Sequence, residues 1–226
     1  MELLEGVVTG GVPAQDLAWE EALLQRGDPA WIAYGWDAPV LVLGRAQRLE
    51  APWVREAEVP SLRRSSGGTA VLHHRDLSLA LVLPASHPWC ATIHGLYGRF
   101  LDVVAEALAR HGVAVRRGEA PPAGRSRTEI CFEDHALESL LLGGRKVLGA
   151  SQTRRRGAVM VHGALLFHLD VALQARVYQV GAERVAAAMA PVEGIDRVVL
   201  ARTAAAVAAA QLGATLREGA ALACRP

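Results

Sequence analysis

Hydrophobic positions along the chain follow two periods. Ile93, Leu96, Tyr97, Phe100, Leu101, Val104 and Leu108 form one stripe of 3.6-residue period, predicting a helix over 91–111 that His111-Gly112 closes and that covers one face of a sheet. A shorter helix is predicted over 14–24, with Leu17, Ala18 and Leu24 inward and a turn at Gly27-Asp28-Pro29. Short apolar runs predict strands over 30–36, 40–43, 69–72, 77–83 and 113–116. Leu140 to Leu142 and Arg145 to Leu148 flank Gly143-Gly144, a two-residue turn tolerant of positive φ, and so read as a hairpin. Ala158 to Val161 and Ala164 to Phe167 read as one strand bent or interrupted at His162-Gly163. Alanine-rich helical segments follow over 171–188 and 198–212, split by Pro191 and Gly194. The expectation is an α/β (α+β) fold, a mixed β-sheet flanked by helices, in one domain over 1–226. Its core spans about 14–170 and a small helical C-terminal segment about 171–226.

Composition adds few constraints. The chain has 226 residues, 51% of them hydrophobic, enough for a full core without disulfide or metal staples. A net charge of +1 argues against nucleic-acid or membrane partners, although Arg63-Arg64 and Arg154 to Arg156 are local basic clusters. Cys90, Cys131 and Cys224 are too far apart to suggest a disulfide framework or zinc pattern, and fit a reducing cytoplasm. No signal peptide or membrane-spanning run is expected.

Candidate chemistry gathers at the glycine-rich stretches. Arg63-Arg64-Ser65-Ser66-Gly67-Gly68-Thr69 lies between predicted strands, and reads either as a plain turn or as a nest of N–H groups for a small anion. It lacks the Gly-Lys-Ser/Thr of a P-loop, and a strand follows it. His73 and His74 are adjacent and face opposite ways on a strand, so only one can enter a site. The reading preferred is that His73 lines a pocket, with no metal. Lys146 begins a strand after a tight turn, as an exposed lysine or as one held rigidly for catalysis. Gly149-Ala150-Ser151 is small enough for a ligand to lie against the backbone. Cys131 follows a loop over 118–127 rich in Pro, Gly and charge. It is either a small buried hydrophobe or a thiolate activated by nearby cations. Trp31, Tyr34 and Trp36 form either core or the wall of an apolar ligand tunnel.

Three blocks in order resemble the biotin/lipoate protein ligase superfamily, which includes lipoate-protein ligases and octanoyltransferases. Residues 63–73, RRSSGGTAVLH, resemble its R-R-x-[ST]-G-G-x-A-V-x-H motif, with Thr69 where Gly or Arg is more common. Residues 144–152, GRKVLGASQ, resemble G-[RK]-K-[IV]-x-G-[SA]-[AS]-Q. A basic turn, Gly157-Ala158-Val159 and His162-Gly163-Ala164-Leu165-Leu166 resemble the third block, with Ala164 replacing Ser or Thr. The Asp16 to Leu24 and Tyr34-Gly35-Trp36 segments are similar too. His74 stands where the family usually has aspartate.

The resemblance implies a class II biotin/lipoate ligase-like catalytic domain and one of two chemistries. Ile130-Cys131-Phe132-Glu133 looks like the segment carrying the nucleophile in the cysteine-dependent octanoyltransferase branch. That implies transfer of octanoyl from octanoyl-acyl carrier protein through a Cys131 thioester to the lysine of a lipoyl carrier domain, without a cofactor. Glycine cleavage H protein and the acyltransferase subunit of a 2-oxoacid dehydrogenase are the implied acceptors. Lys146 would then bind the acyl carbonyl or help deprotonate the amine. Arg63, Arg64, Ser66, Gly67, Gly68, Thr69, His73, Gly149, Ala150, Gln152, His162 and Gly163 would bind substrate, and Arg154 to Arg156 would attract acidic carriers. The alternatives are an ATP- and Mg-dependent lipoate-protein ligase and a non-catalytic acyl- or cofactor-binding module. A monomer is expected.

Overall fold

The computed structural model describes residues 1–8, 12–119, 131–133 and 137–218, with the backbone alone described at Val8, Cys131 and Glu218. The chain runs β1 (Glu2–Val8), α1 (Pro13–Arg26), β2 (Ala30–Gly35), β3 (Val40–Leu43), α2 (Pro52–Glu56), β4 (Ser61–Arg63), β5 (Val71–His73) and β6 (Leu77–Pro84). It continues with α3 (Ile93–Arg110), β7 (Arg116–Arg117), β8 (Ser139–Leu142), β9 (Arg145–Arg154) and β10 (Ala158–Leu165). Last come α4 (Val171–Tyr178), α5 (Ala182–Ala188), α6 (Arg197–Leu212) and β11 (Thr215–Glu218). Short 3₁₀ turns occupy Pro88–Cys90 and Cys131–Glu133.

Eight strands form one mixed sheet in the order β11-β1-β2-β6-β10-β9-β8-β7, and three form a small sheet, β4-β3-β5. The central strands are buried on both faces, so their two-residue alternation sorts side chains between two apolar layers. Leu77, Leu79, Leu81 and Leu83 of β6 join Trp31, Val161 and Leu148 beneath α3 and α6. Ala80 and Val82 meet Ile32, Met160 and the inner face of α1 on the other side. The predicted α3 stripe is buried at Leu96, Phe100, Leu101, Val104 and Leu108, whereas Tyr97 is only partly buried and Ile93, at the helix start, is exposed. Thr92 caps that helix, its hydroxyl accepting from the Gly95 N–H. A third cluster packs α4 and α5 against the small sheet through Leu41, Leu43, Leu72, Leu173, Val177 and Val185.

Four expectations are corrected. The strand around His162-Gly163 is continuous, because Ala158 to Leu165 pairs with both β6 and β9 along its length. Gly163 is needed there for packing: a Cβ would lie 3.1 Å from Phe100 Cε1 and 3.2 Å from the Gly149 carbonyl oxygen. The strand expected over 113–116 is confined to its end, where Arg116–Arg117 pairs with Leu141 and Leu140 of β8. The inner face of α1 is Asp16, Trp19, Glu20, Leu23 and Leu24, while Ala18 is exposed. The C-terminal segment is not wholly helical, because Thr215–Glu218 returns as β11 and pairs parallel with β1. No helix of the described residues is long and apolar enough to cross a membrane.

Phe100 is fully buried, with its ring centroid 5.7 Å from that of Trp31. Phe100→Ala should therefore lower unfolding free energy by about 3–5 kcal/mol. Urea unfolding at neutral pH measures this, with the exposed Ile93→Ala as a control expected to change little.

Candidate active site

A pocket opens where the small sheet meets β9, β10 and the start of α1. Its polar lining includes Arg64, Gly68, His73, Ser151 and His162, and its apolar wall Leu17, Tyr34, Trp36, Val42 and Val71. The loop after β4 enters it in a conformation set by Arg64. That guanidinium, 7% exposed, donates from Nε to Ser66 Oγ at 3.0 Å and from Nη1 to the Val42 carbonyl at 3.0 Å. Its Nη2 donates to the carbonyls of Gly67 and Thr69, each at 2.8 Å. Gly68 has a φ of 92°, and at Gly44 a Cβ would fall 2.0 Å from the Gly68 carbonyl oxygen. Glycine at both positions lets the two loop segments touch.

Ser66 ties this loop to the large sheet. Its hydroxyl lies 2.6 Å from His162 Nε2 and 2.8 Å from Ser151 Oγ. His162 Nδ1 is 2.9 Å from Glu20 Oε2, and the Tyr34 hydroxyl donates to Glu20 Oε1 at 2.9 Å. An ionised carboxylate only accepts, so Nδ1 carries the proton and, in the neutral ring, Nε2 accepts from Ser66. The series Glu20–His162–Ser66 is thus a carboxylate–imidazole–hydroxyl relay reaching from α1 to the pocket. Burial, then the charge of Glu20, pushes the Tyr34 phenol well above its usual range, keeping it a donor. His73 is held in a similar way: its Nδ1 is 2.8 Å from Asp76 Oδ2, and its ring stacks on Trp36 at 4.1 Å. The Trp36 indole N–H in turn donates to Ser78 Oγ at 2.9 Å.

Lys146 is buried, 5% exposed, and a β-bulge aims it. Leu140 pairs with Leu148, but Leu141 pairs with Lys146, leaving Val147 as the extra residue. Unbroken alternation would turn Lys146 to the α3 side with Leu148; the bulge turns it to the side of Gly149. A Cβ on Gly149 would lie 2.9 Å from Lys146 Cε and 3.3 Å from Nζ, so the glycine makes room for the lysine stem. The Nζ is 5.5 Å from the centre of the Phe132 ring. Phe132 belongs to the 3₁₀ turn Cys131–Glu133, which Glu133 anchors by its ion pair with Arg184. The side chain of Cys131 lies outside the described residues, as do Cys224 and residues 120–127 of the predicted loop. Cys90 is buried, and burial raises its thiol pKa, with Arg154 partly opposing, so it is a poor nucleophile.

Of the other expected site residues, Gly149, Ala150 and Gly163 line the pocket with Gly68. Gly67 and Thr69 supply carbonyls to Arg64. Arg63 is exposed and borders a separate groove beside α1. Gln152 is turned away, donating from Nε2 to the Ile93 carbonyl at 3.1 Å. The aromatic trio divides: Tyr34 and Trp36 line the pocket while Trp31 enters the core under α3. The basic turn is exposed, but Arg154 donates to the Cys90 carbonyl and Arg155 pairs with Glu21. Sequence reasoning missed Glu20 and Asp76, and it valued Ser151 for its small size and not for the hydroxyl that meets Ser66. Glu20 had a signal, being an acid four residues after Asp16 on the same helix stripe as Leu23 and Leu24.

Residues 12–207 match the lipoyl protein ligase A/B catalytic domain. The chain is 31% identical over 189 residues to octanoyltransferase LipM of Anoxybacillus flavithermus and 32% identical over 189 residues to that of Geobacillus kaustophilus. Each match spans 76% of this chain and 68% of the relative. The fold is similar to that of the bipartite lipoate protein ligase of Thermoplasma acidophilum, solved in a study that includes its E2 lipoyl domain. The TM-score is 0.76 at 21% identity, covering 97% of this chain and 87% of the other.

Glu20→Ala would strand the Tyr34 hydroxyl and the His162 Nδ1–H, so it should cost roughly 2–5 kcal/mol in urea unfolding. The Tyr34 pKa also carries a sign. A phenol raised in the folded state ionises first in the unfolded chain, so stability falls as pH rises past about 10. Urea midpoints of wild type and Tyr34→Phe, measured from pH 8 to pH 11, should show a shallower alkaline decline in the variant.

Proposed function

This chain belongs to the lipoyl protein ligase A/B catalytic domain family, and on that premise we propose that it transfers octanoyl from octanoyl-acyl carrier protein to the lysine of a lipoyl carrier domain. The observation carrying this reading is the position of the turn that bears Cys131. The ring of Phe132, the next residue, faces Lys146 Nζ at 5.5 Å, and Lys146 runs along Gly149 at the pocket wall. The relatives named octanoyltransferase LipM support the same chemistry.

In the first step the Cys131 thiolate attacks the thioester carbonyl of the donor. A new thioester forms on Cys131, and the carrier's thiol leaves and takes up a proton. In the second, the neutral amine of the acceptor lysine attacks that thioester, an amide forms, and Cys131 departs as the thiol. Both carbonyls are already activated, so the reading needs neither ATP nor a metal. Lys146 donates to the carbonyl oxygen as negative charge develops there, an interaction strongest in the transition state. The His162 relay holds Ser66, and through it the loop, against Ser151. Tyr34, Trp36, Val42 and Val71 offer the acyl chain an apolar wall. Each buried methylene is worth about 0.8 kcal/mol, so the depth of the wall selects chain length.

Intact-protein mass spectrometry after mixing with octanoyl-acyl carrier protein, without ATP, tests the reading. Wild type should gain one octanoyl group that hydroxylamine removes, and Cys131→Ser should gain none. Lys146→Ala should slow transfer to a lipoyl domain by about 10²–10³-fold. ATP-dependent labelling of the domain by free lipoate, with no adduct on the enzyme, would replace this reading with a ligase. Neither activity would leave a binding module.

A further inference from the structure

Outside the pocket, three potential metal ligands meet from distant parts of the chain. His74 follows β5, whereas His168 and Asp170 lie in the connection between β10 and α4. Each offers one ligand atom, and the three atoms lie within 4.8 Å of one another. The two imidazoles are edge to face, with centroids 5.2 Å apart. Among the described residues no hydrogen bond joins these side chains, and His74 Nδ1 is buried without a hydrogen-bond partner. Asp170 is half engaged: its Oδ1 accepts from the Leu173 N–H at 2.9 Å to cap α4. All three residues are only partly buried, and His168 also lines a groove of about 600 Å³ with Asp37, Arg75 and Arg197.

We propose that His74, His168 and Asp170 form a binding site for one borderline divalent transition-metal ion, of which Zn²⁺ is the type. Two imidazoles and a carboxylate are a donor set that suits such an ion and not Mg²⁺ or Ca²⁺, which take oxygen ligands. Zinc holds nitrogen and oxygen ligands at about 2.0–2.2 Å, which places tetrahedral partners roughly 3.4 Å apart. Side-chain rotations of partly exposed residues close that gap. Water from the groove completes the coordination. The ion would then clasp the β5–β6 turn to the start of α4. That turn is already unusual, since Arg75 has a φ of 54°, and His73 on its other side lines the pocket. The site stands apart from the proposed acyl transfer and does not depend on it.

The test uses full-length, tag-free protein stripped of metal, titrated with Zn²⁺ by calorimetry and with Co²⁺ by absorption. Wild type and Cys131→Ser should each bind one ion, with Co²⁺ bands lacking thiolate charge transfer. His74→Ala and Asp170→Asn should weaken binding by at least about tenfold. Asparagine is also a good helix cap, so Asp170→Asn removes the charge without removing the cap on α4. Zn²⁺ should raise the Tm of wild type but not of either variant. Absence of stoichiometric binding, binding unchanged in both variants, or a thiolate charge-transfer band would each overturn the proposal.

Discussion

The candidate site depends on one buried guanidinium. Arg64 cannot lose its proton and sits 7% exposed, so its hydration must be replaced by fixed acceptors. It finds them in the Ser66 hydroxyl and in the carbonyls of Val42, Gly67 and Thr69. Those bonds fix the shape of the glycine-rich loop and fasten it to β3. Truncating Arg64 would leave several buried acceptors without donors, and a lysine could not reproduce the planar fork. Through Ser66 the constraint passes to His162, Glu20 and Tyr34, joining the loop, β10, α1 and β2 in one hydrogen-bonded unit. A site held this way pays little ordering entropy when a ligand arrives.

Lys146 is placed by a different device. A lysine two residues before a core leucine would normally share its face. The extra residue Val147 breaks that alternation, sending Val147 and Leu148 into the core and Lys146 to the pocket side. Gly149 then provides space for the stem, and the Phe132 ring lies near the ammonium. Backbone geometry therefore does what side-chain flexibility could not do reliably, which is to hold a buried ammonium at one point.

Much of the fold was legible because periodicity is a local signal. The α3 stripe, the Gly143-Gly144 hairpin and the leucines of β6 each declare their environment within a few residues. The misread features depend on partners far along the chain. His162-Gly163 looked like an interruption because a glycine beside a histidine weakens a strand, but paired neighbours on both sides and the close approach of Phe100 hold it extended. By contrast, Trp31 and Tyr34 stand an odd number of residues apart on one strand, so two-residue alternation sends them to opposite faces, which grouping them as a trio overlooks. In the site, the glycine-rich motifs point to the pocket, but they do not show that Arg64, which lines it, also holds the loop in shape. Gln152 was expected inward, and strand alternation turns it out. Glu20 and Asp76 were missed because a lone carboxylate in sequence reads as surface. His74 acquires His168 and Asp170 only through the packing of α4 against the small sheet.

The engagement of Arg64 also bears on what kind of molecule the pocket favours. Among its described lining residues Arg64 alone carries a permanent charge, and that charge already faces a set of backbone and hydroxyl dipoles. An incoming negative charge would therefore meet a guanidinium already turned to the loop, with the Lys146 ammonium as the other cation near the wall. An uncharged acyl group, held as an ester or thioester, requires no such compensation and can be recognised by hydroxyls, imidazoles and glycine backbone. The two cations at the pocket thus differ in setting: Arg64 is built into the loop, while the Lys146 ammonium stands beside Gly149 at the wall.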